Sequence, residues 1–135
     1  MGKDSGETEI KSIIKKWLSK KGFIDKAKDK THGVDIKMWS PKGRKYWFVE
    51  VKGWPPSNQK YTWLCEAIGQ ISLRFRAQKA SNYGIALPDI KYYENKTLNE
   101  LALFRKRTKI HFFLVTKNGK IKQLTPNSSS YKSIV

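Results

Sequence analysis

Apolar positions along the chain follow two periods in turn, and that alternation predicts an α/β domain. Ile10, Ile13, Ile14, Trp17 and Leu18 recur at helical spacing, which predicts a helix over residues 8–20 with one buried face, closed by Gly22. Residues 23–28 read as a weak strand. From Val34 the period becomes two: Val34, Ile36 and Met38 alternate with Asp35, Lys37 and Trp39, then Trp47, Val49 and Val51 alternate with Phe48, Glu50 and Lys52. The turn residues at 40–45 join these runs into a hairpin. Pro55 and Pro56 forbid a continuing ladder, so residues 53–58 form a loop.

A second helix is expected over residues 62–80, with Leu64, Ala67, Ile68, Ile71 and Phe75 on one face; Gly69 within it suggests a close backbone approach. Residues 83–87 form a short strand stopped by Pro88, followed by a helix near 95–105. Strands over 110–116 and 120–124 flank an Asn118-Gly119 turn. The Ser-rich residues from Thr125 onward read as an arm or frayed tail. The order α-β-β-β-α-β, then a C-terminal helix and a β-hairpin, predicts a small mixed sheet flanked by helices. One domain over residues 1–135 is expected, with flexible ends at 1–6 and 125–135.

Charge directs attention to a partner. The 135 residues carry 28 Lys or Arg against 11 Asp or Glu, a net charge of +17, while 39% are hydrophobic and five are Trp. That is enough apolar matter for a core, so the chain is no disordered basic tail. A domain so basic repels itself unless a polyanion neutralises it. Nucleic acid is the first expectation and an anionic membrane surface the second. Since 23 of the bases are Lys and five Arg, a surface reflecting genome bias or thermal adaptation is the bland alternative. The longest apolar run, residues 112–115, is far short of the ~20 residues of a bilayer span, and the polar N-terminus has no apolar leader segment. The single Cys65 allows no internal disulfide, so a cytoplasmic home is expected.

The acids are more telling than the bases. Between Lys30 and Cys65 there are seven bases and two acids, Asp35 and Glu50, and no acid follows Glu100. A hairpin symmetric about Lys42 and Gly43 pairs residues whose numbers sum to 85, setting Trp39 against Tyr46, Lys37 against Phe48 and Asp35 against Glu50. Two carboxylates ~5 Å apart at an effective dielectric near 20 repel by about 3 kcal/mol. A divalent cation inverts that repulsion, and Mg²⁺ favours one or two carboxylates with water and phosphate. Lys52, two residues beyond Glu50 on the same face, is placed to orient or deprotonate an attacking water. The competing account is an ordinary amphipathic strand, with Lys37 and Lys52 neutralising the two acids.

An Asp on one hairpin strand and Glu-x-Lys on the next, between two helices, resembles the PD-(D/E)xK nuclease superfamily. The matching residues are Asp35 within residues 33–36 and Glu50, Val51 and Lys52 within residues 49–53; Val34 stands where the family name has Pro. The likeness covers roughly residues 7–88 and is similar to archaeal Holliday-junction resolvases and Mrr-like or RecB-like nucleases. It implies a restriction-endonuclease-like core and Mg²⁺-dependent phosphodiester hydrolysis of DNA, with Mn²⁺ able to substitute. Asp35, Glu50 and the Val51 carbonyl would ligate the metal, and Lys52 would act on the water. It further implies an acid from the first helix, for which Glu7 is better placed than Glu9, and a Gln bordering the site, for which Gln70 stands in position. The separate readings are a helix-start carboxylate favoured by the macrodipole for Glu7, and a solvated polar stripe of Glu66, Gln70 and Arg74 on the second helix.

Around this centre, Lys37, Trp54, Arg74, Arg105, Lys106, Arg107 and Lys109 are the expected DNA contacts, with Trp54 offering a stacking surface. Tyr61 and Trp63 flank the same loop. His32 and His111 have no second ligand at zinc spacing, and Cys65 reads as a packed small residue. No recognition module is visible, which favours structure-specific or repair cleavage of duplex or branched DNA over restriction. Paired cuts would use a homodimer. The rival is a catalytically inactive nucleic-acid-binding module on the same fold.

Overall fold

The computed structural model describes residues 5–26, 34–75 and 82–135. Helix α1 (Glu7–Lys20) leads into β1 (Ile24–Asp25), β2 (Ile36–Ser40) and β3 (Lys45–Val51), followed by α2 (Lys60–Ser72) and β4 (Asn82–Pro88). Helix α3 (Lys91–Asn95), a π turn (Lys96–Glu100) and α4 (Ala102–Thr108) precede β5 (Ile110–Val115), β6 (Ile121–Leu124) and β7 (Lys132–Ser133). The seven strands lie in one mixed sheet in chain order, β1 to β7. β3, β4 and β5 run parallel, and the outer pairs are antiparallel. The protein is thus mixed α/β.

Two cores follow from strand alternation. On one face Ile10, Ile14 and Leu18 of α1 pack on Ile36, Met38, Trp47, Val49 and Val51. On the other, Leu64, Ala67 and Ile71 of α2 pack on Phe48, Ile85, Leu87, Phe112 and Leu114. Gly84 lets the first core close, because a Cβ there would lie 2.9 Å from the Phe113 ring and 3.3 Å from that of Trp47. The hairpin keeps the expected register: Lys37 pairs with Phe48 and Trp39 with Tyr46. A loop of four residues closes it, with Gly43 N donating to Ser40 Oγ and Arg44 at φ 55°.

Several elements differ from expectation. Strand β2 begins at Ile36, one residue after Asp35, and Val34 joins the α2-side core rather than following Ile36 and Met38. Helix α2 starts two residues early and ends at Ser72, which leaves Phe75 beyond it; residues 76–80 of the expected helix lie outside the described residues, as do residues 27–28 of the expected first strand and His32. The expected helix near 95–105 begins at Lys91 and is broken by the π turn. Gly69 is exposed and a Cβ there would meet nothing within 4 Å among the described residues, so no close approach explains it. Cys65 is exposed rather than packed.

The C-terminal segment is docked, not frayed. β7 pairs with β6, the Tyr131 hydroxyl hydrogen-bonds Thr97 Oγ1 at 2.7 Å, and Ile134 packs on the α1-side core. Arg105 holds this segment in place. Its side chain is buried, and it donates to the carbonyls of Thr97, Leu98, Thr125, Pro126 and Ser128. Arg105 is therefore a structural clamp and not a phosphate contact, a correction that follows from its position on the apolar side of α4. Arg105→Ala leaves five carbonyls without this donor and is expected to cost on the order of 3 kcal/mol in urea unfolding. A loss below about 0.5 kcal/mol, typical of a surface change, would refute the clamp.

Candidate active site

β3 carries the centre of the site because its two faces diverge in chemistry. Val49 and Val51 point into the α1-side core, so Glu50 is directed toward α2, and it is only 4% exposed. Asp35 does not join the ladder opposite it. Instead its Oδ2 accepts a hydrogen bond from Val51 N at 2.8 Å, capping the end of β3 and holding the Asp35 carboxyl beside Glu50. The expected juxtaposition of the two acids is met by a side-chain to backbone bond rather than by a strand pair.

The α2 stripe closes over them. Glu66 Oε1 lies 3.0 Å from Lys52 Nζ, and Arg74 Nε lies 3.9 Å from Glu50 Oε2. Gln70 occupies the helical position between Glu66 and Arg74 and is exposed. The 3.9 Å separation is too long for a hydrogen bond. Glu50 Oε2 and Arg74 Nε are both buried with no hydrogen-bond partner among the described residues. Leaving such groups unpaired costs about 1–3 kcal/mol each, more for charged ones.

Burial raises the Glu50 carboxyl from its ordinary 4.5 to about 8, with the Asp35 charge and hydrogen bonding adding to the rise while Arg74 and Lys52 oppose it. Without an added cation the pair holds a proton at neutral pH. An oxygen donor set of two carboxyls, one with an unpartnered buried oxygen, fits a small hard cation such as Mg²⁺, which uses one or two carboxylates and fills its remaining positions with water or phosphate. No cluster of three His, Cys, Asp or Glu side chains exists among the described residues.

Other residues singled out by the sequence are placed as follows. Glu7 opens α1, whose start is tied to the loop after β3 by Trp54 N donating to Ser5 O at 2.7 Å; this brings the helix terminus near the site, and Glu7 is half-buried there. Trp54 is half-buried against the α1-side core. Lys37 is half-buried with its ammonium over the rings of Tyr46 and Phe48. Lys106, Arg107 and Lys109 lie just before β5, level with the early part of β3, so they sit at the opposite end of the parallel strands from Glu50. His111 is a packing residue, stacked on Phe113 with an edge-to-face contact to Trp47 and held neutral by burial, which lowers its pKa to about 4. Glu66 was visible only as part of the polar stripe; its role as the Lys52 partner needed the crossover that lays α2 over β3.

Comparison with protein-family models, with curated proteins and with solved structures finds no match.

The Glu50 shift has a definite sign for stability. Below about pH 4.5 the carboxyl is protonated in both states; between about 4.5 and 8 the unfolded chain ionises it and the folded chain does not. Metal-free protein should therefore lose stability as pH rises through this window and level off above about 8. Glu50→Gln keeps the shape and removes the titration, so its melting temperature at pH 8 should exceed wild type and its pH slope should be shallower. Identical slopes for the two proteins in a chelating buffer would refute the assignment.

Proposed function

We propose that the chain is a Mg²⁺-dependent DNA endonuclease of the PD-(D/E)xK, restriction-endonuclease-like type, acting on branched or damaged DNA rather than on a fixed sequence. One observation carries the reading: Glu50 Oε2 and Arg74 Nε, two buried and unpartnered atoms of opposite character, face one another 3.9 Å apart. They form a long ion pair, but neither atom has a hydrogen-bond partner among the described residues. A metal ion with a phosphate oxygen supplies a partner to each.

Within this reading Asp35 and Glu50 hold the cation, assisted by the Val51 carbonyl, and Glu50 gives up its proton on binding. A Mg²⁺ or Mn²⁺ ion held by these residues would supply neutralisation of phosphate charge and a more acidic water. The Val51 amide fixes the orientation of the Asp35 carboxylate. Lys52, held through Glu66, directs its ammonium at the attacking water or the developing phosphate charge. Arg74 donates to a non-bridging phosphate oxygen, and Gln70, between Glu66 and Arg74, borders the substrate. The net charge of +17 supplies binding to the duplex that weakens steeply with salt.

A second reading has its own support. Lys52 is already engaged by Glu66, and Arg74 offsets the Glu50 carboxyl, so the acids and bases of the site also balance internally. This favours a binding module that no longer cuts.

The readings separate on a panel of plasmid, single-stranded, flap and four-way-junction DNA with Mg²⁺ or Mn²⁺. Wild type is expected to cut, and Asp35→Ala, Glu50→Ala and Lys52→Ala to lower the rate at least about 10²-fold while still shifting DNA on gels. Titration calorimetry in buffers of different ionisation enthalpy should show a proton released as Mg²⁺ binds at pH 7. Inert wild type that also fails to bind Mg²⁺ or Mn²⁺ would leave the binding module standing.

A further inference from the structure

The parallel run of β3, β4 and β5 puts the loop after β3 and the turn after β5 at one edge of the sheet. Between them and the start of α1 lies a cavity of about 380 Å³ lined by Ser5, Gly6, Glu9, Trp54 and Lys117. It is open to solvent on one side, so a planar group can enter it from outside.

Its wall is built around one ring. Trp54 N donates to Ser5 O at 2.7 Å, and the chain passes the indole at Gly6, whose φ is 87° and where a Cβ would lie 2.7 Å from ring carbon Cε3. Either fact alone would favour glycine, and together they press the backbone against the ring. Lys117 Nζ sits 5.2 Å from the ring centroid. Glu9 Oε1 is 3.8 Å from the same Cβ position, which places a carboxylate at the cavity margin. The cavity thus offers a rigid aromatic plane, a movable cation and a hydrogen-bond acceptor.

We propose that this cavity receives one unstacked base of a DNA strand that also places a nearby phosphate at Glu50. The inference rests on the nuclease reading for the identity of the polymer, and it deepens that reading by naming the substrate feature selected. Trp54 follows Glu50 by four residues, at most ~14 Å of chain, so a base on the indole and a phosphate at the acids belong to one short stretch of strand, within about two nucleotides of each other. The two face opposite sides of the sheet edge, which a stacked duplex strand cannot follow and an everted nucleotide can. Trp54 stacks on the base, as aromatic platforms do for any base. Lys117 leaves the indole for the phosphate of that nucleotide. Glu9 accepts from the exocyclic amino group of cytosine or adenine, which thymine lacks.

The test is binding in EDTA, where no cutting occurs, to duplexes that are continuous or carry a single bulged cytosine, thymine, abasic residue or 2-aminopurine. Wild type should bind the cytosine bulge about tenfold more tightly than the continuous duplex, the size of one base stack, with thymine weaker and the abasic bulge no better than duplex. Bulged 2-aminopurine fluorescence should be quenched on binding. Trp54→Ala should abolish the preference and the quenching, and Trp54→Phe should retain both. Because Trp54 also packs on the core, Glu9→Gln serves as a second variant that leaves the fold alone; it should narrow the gap between cytosine and thymine bulges. A bulge preference unchanged in Trp54→Ala, or equal affinity of wild type for all duplexes, overturns the subsite even if the protein cuts DNA. A Trp54-dependent preference without cleavage in Mg²⁺ would retain the subsite and overturn the nuclease reading instead.

Discussion

Glu50 is a carboxyl group built into a central strand, and the surrounding structure is arranged around the difficulty of keeping it there. Both faces of β3 are covered, by α1 on one side and α2 on the other, so no nearby solvent relieves the charge. Strand alternation leaves Glu50 no choice of face once Val49 and Val51 are committed to the first core. Asp35, fastened to Val51 N, then adds a second carboxyl at the least favourable place. An apolar residue at either position would be cheaper to fold around. The arrangement places a proton where the sheet, α2 and the β3 exit loop meet.

Much of this was legible from residue order because two strong local rules coincide in the hairpin. Alternating hydrophobicity sets which side chains share a face, and a four-residue turn sets the register, so the sum of 85 survives at every observed pair. The exception is instructive. Asp35 leaves the ladder because its side chain captures a backbone N–H, a bond that competes with strand pairing and leaves no mark in hydrophobic periodicity. Arg105 is deceptive for another reason: it sits in a basic run with Lys106, Arg107 and Lys109, and composition treats the four alike. Position does not, since Arg105 falls four residues after Leu101 and seven after Leu98, on the apolar side of the helix. The docking of the C-terminal segment was hidden by its serines, although Tyr131 and Ile134 supply the contacts that hold it.

The positive charge is unevenly placed with respect to Glu50. Lys106, Arg107 and Lys109 lie at the far end of the parallel strands, and Lys122 is taken up by Asp89 and Glu94 at 3.4 and 3.9 Å. At the near end stand Lys52, Arg74 and Lys117, two of them oriented by acids and the third resting on an indole. Bases at a distance raise affinity for any polyanion, whereas bases held by defined partners fix where its phosphates come to lie. On the proposed reading, the separation of these two tasks is what a count of 28 bases conceals.

These electrostatics also make any cation and any phosphate mutually dependent at this site. A phosphate arriving alone brings negative charge to a carboxyl pair that already retains a proton at neutral pH, and it must draw Arg74 away from Glu50 to be bound. A cation arriving alone displaces the proton but is left beside the Arg74 guanidinium. Arriving together, each neutralises what opposes the other: the cation meets both carboxylates and the phosphate meets the arginine. Coupling of this kind is reciprocal by thermodynamic necessity, so whatever factor the cation adds to DNA affinity, DNA adds to cation affinity. On the proposed reading the buried proton of Glu50 acts as the guard of the site, because removing it costs least when cation and substrate arrive together.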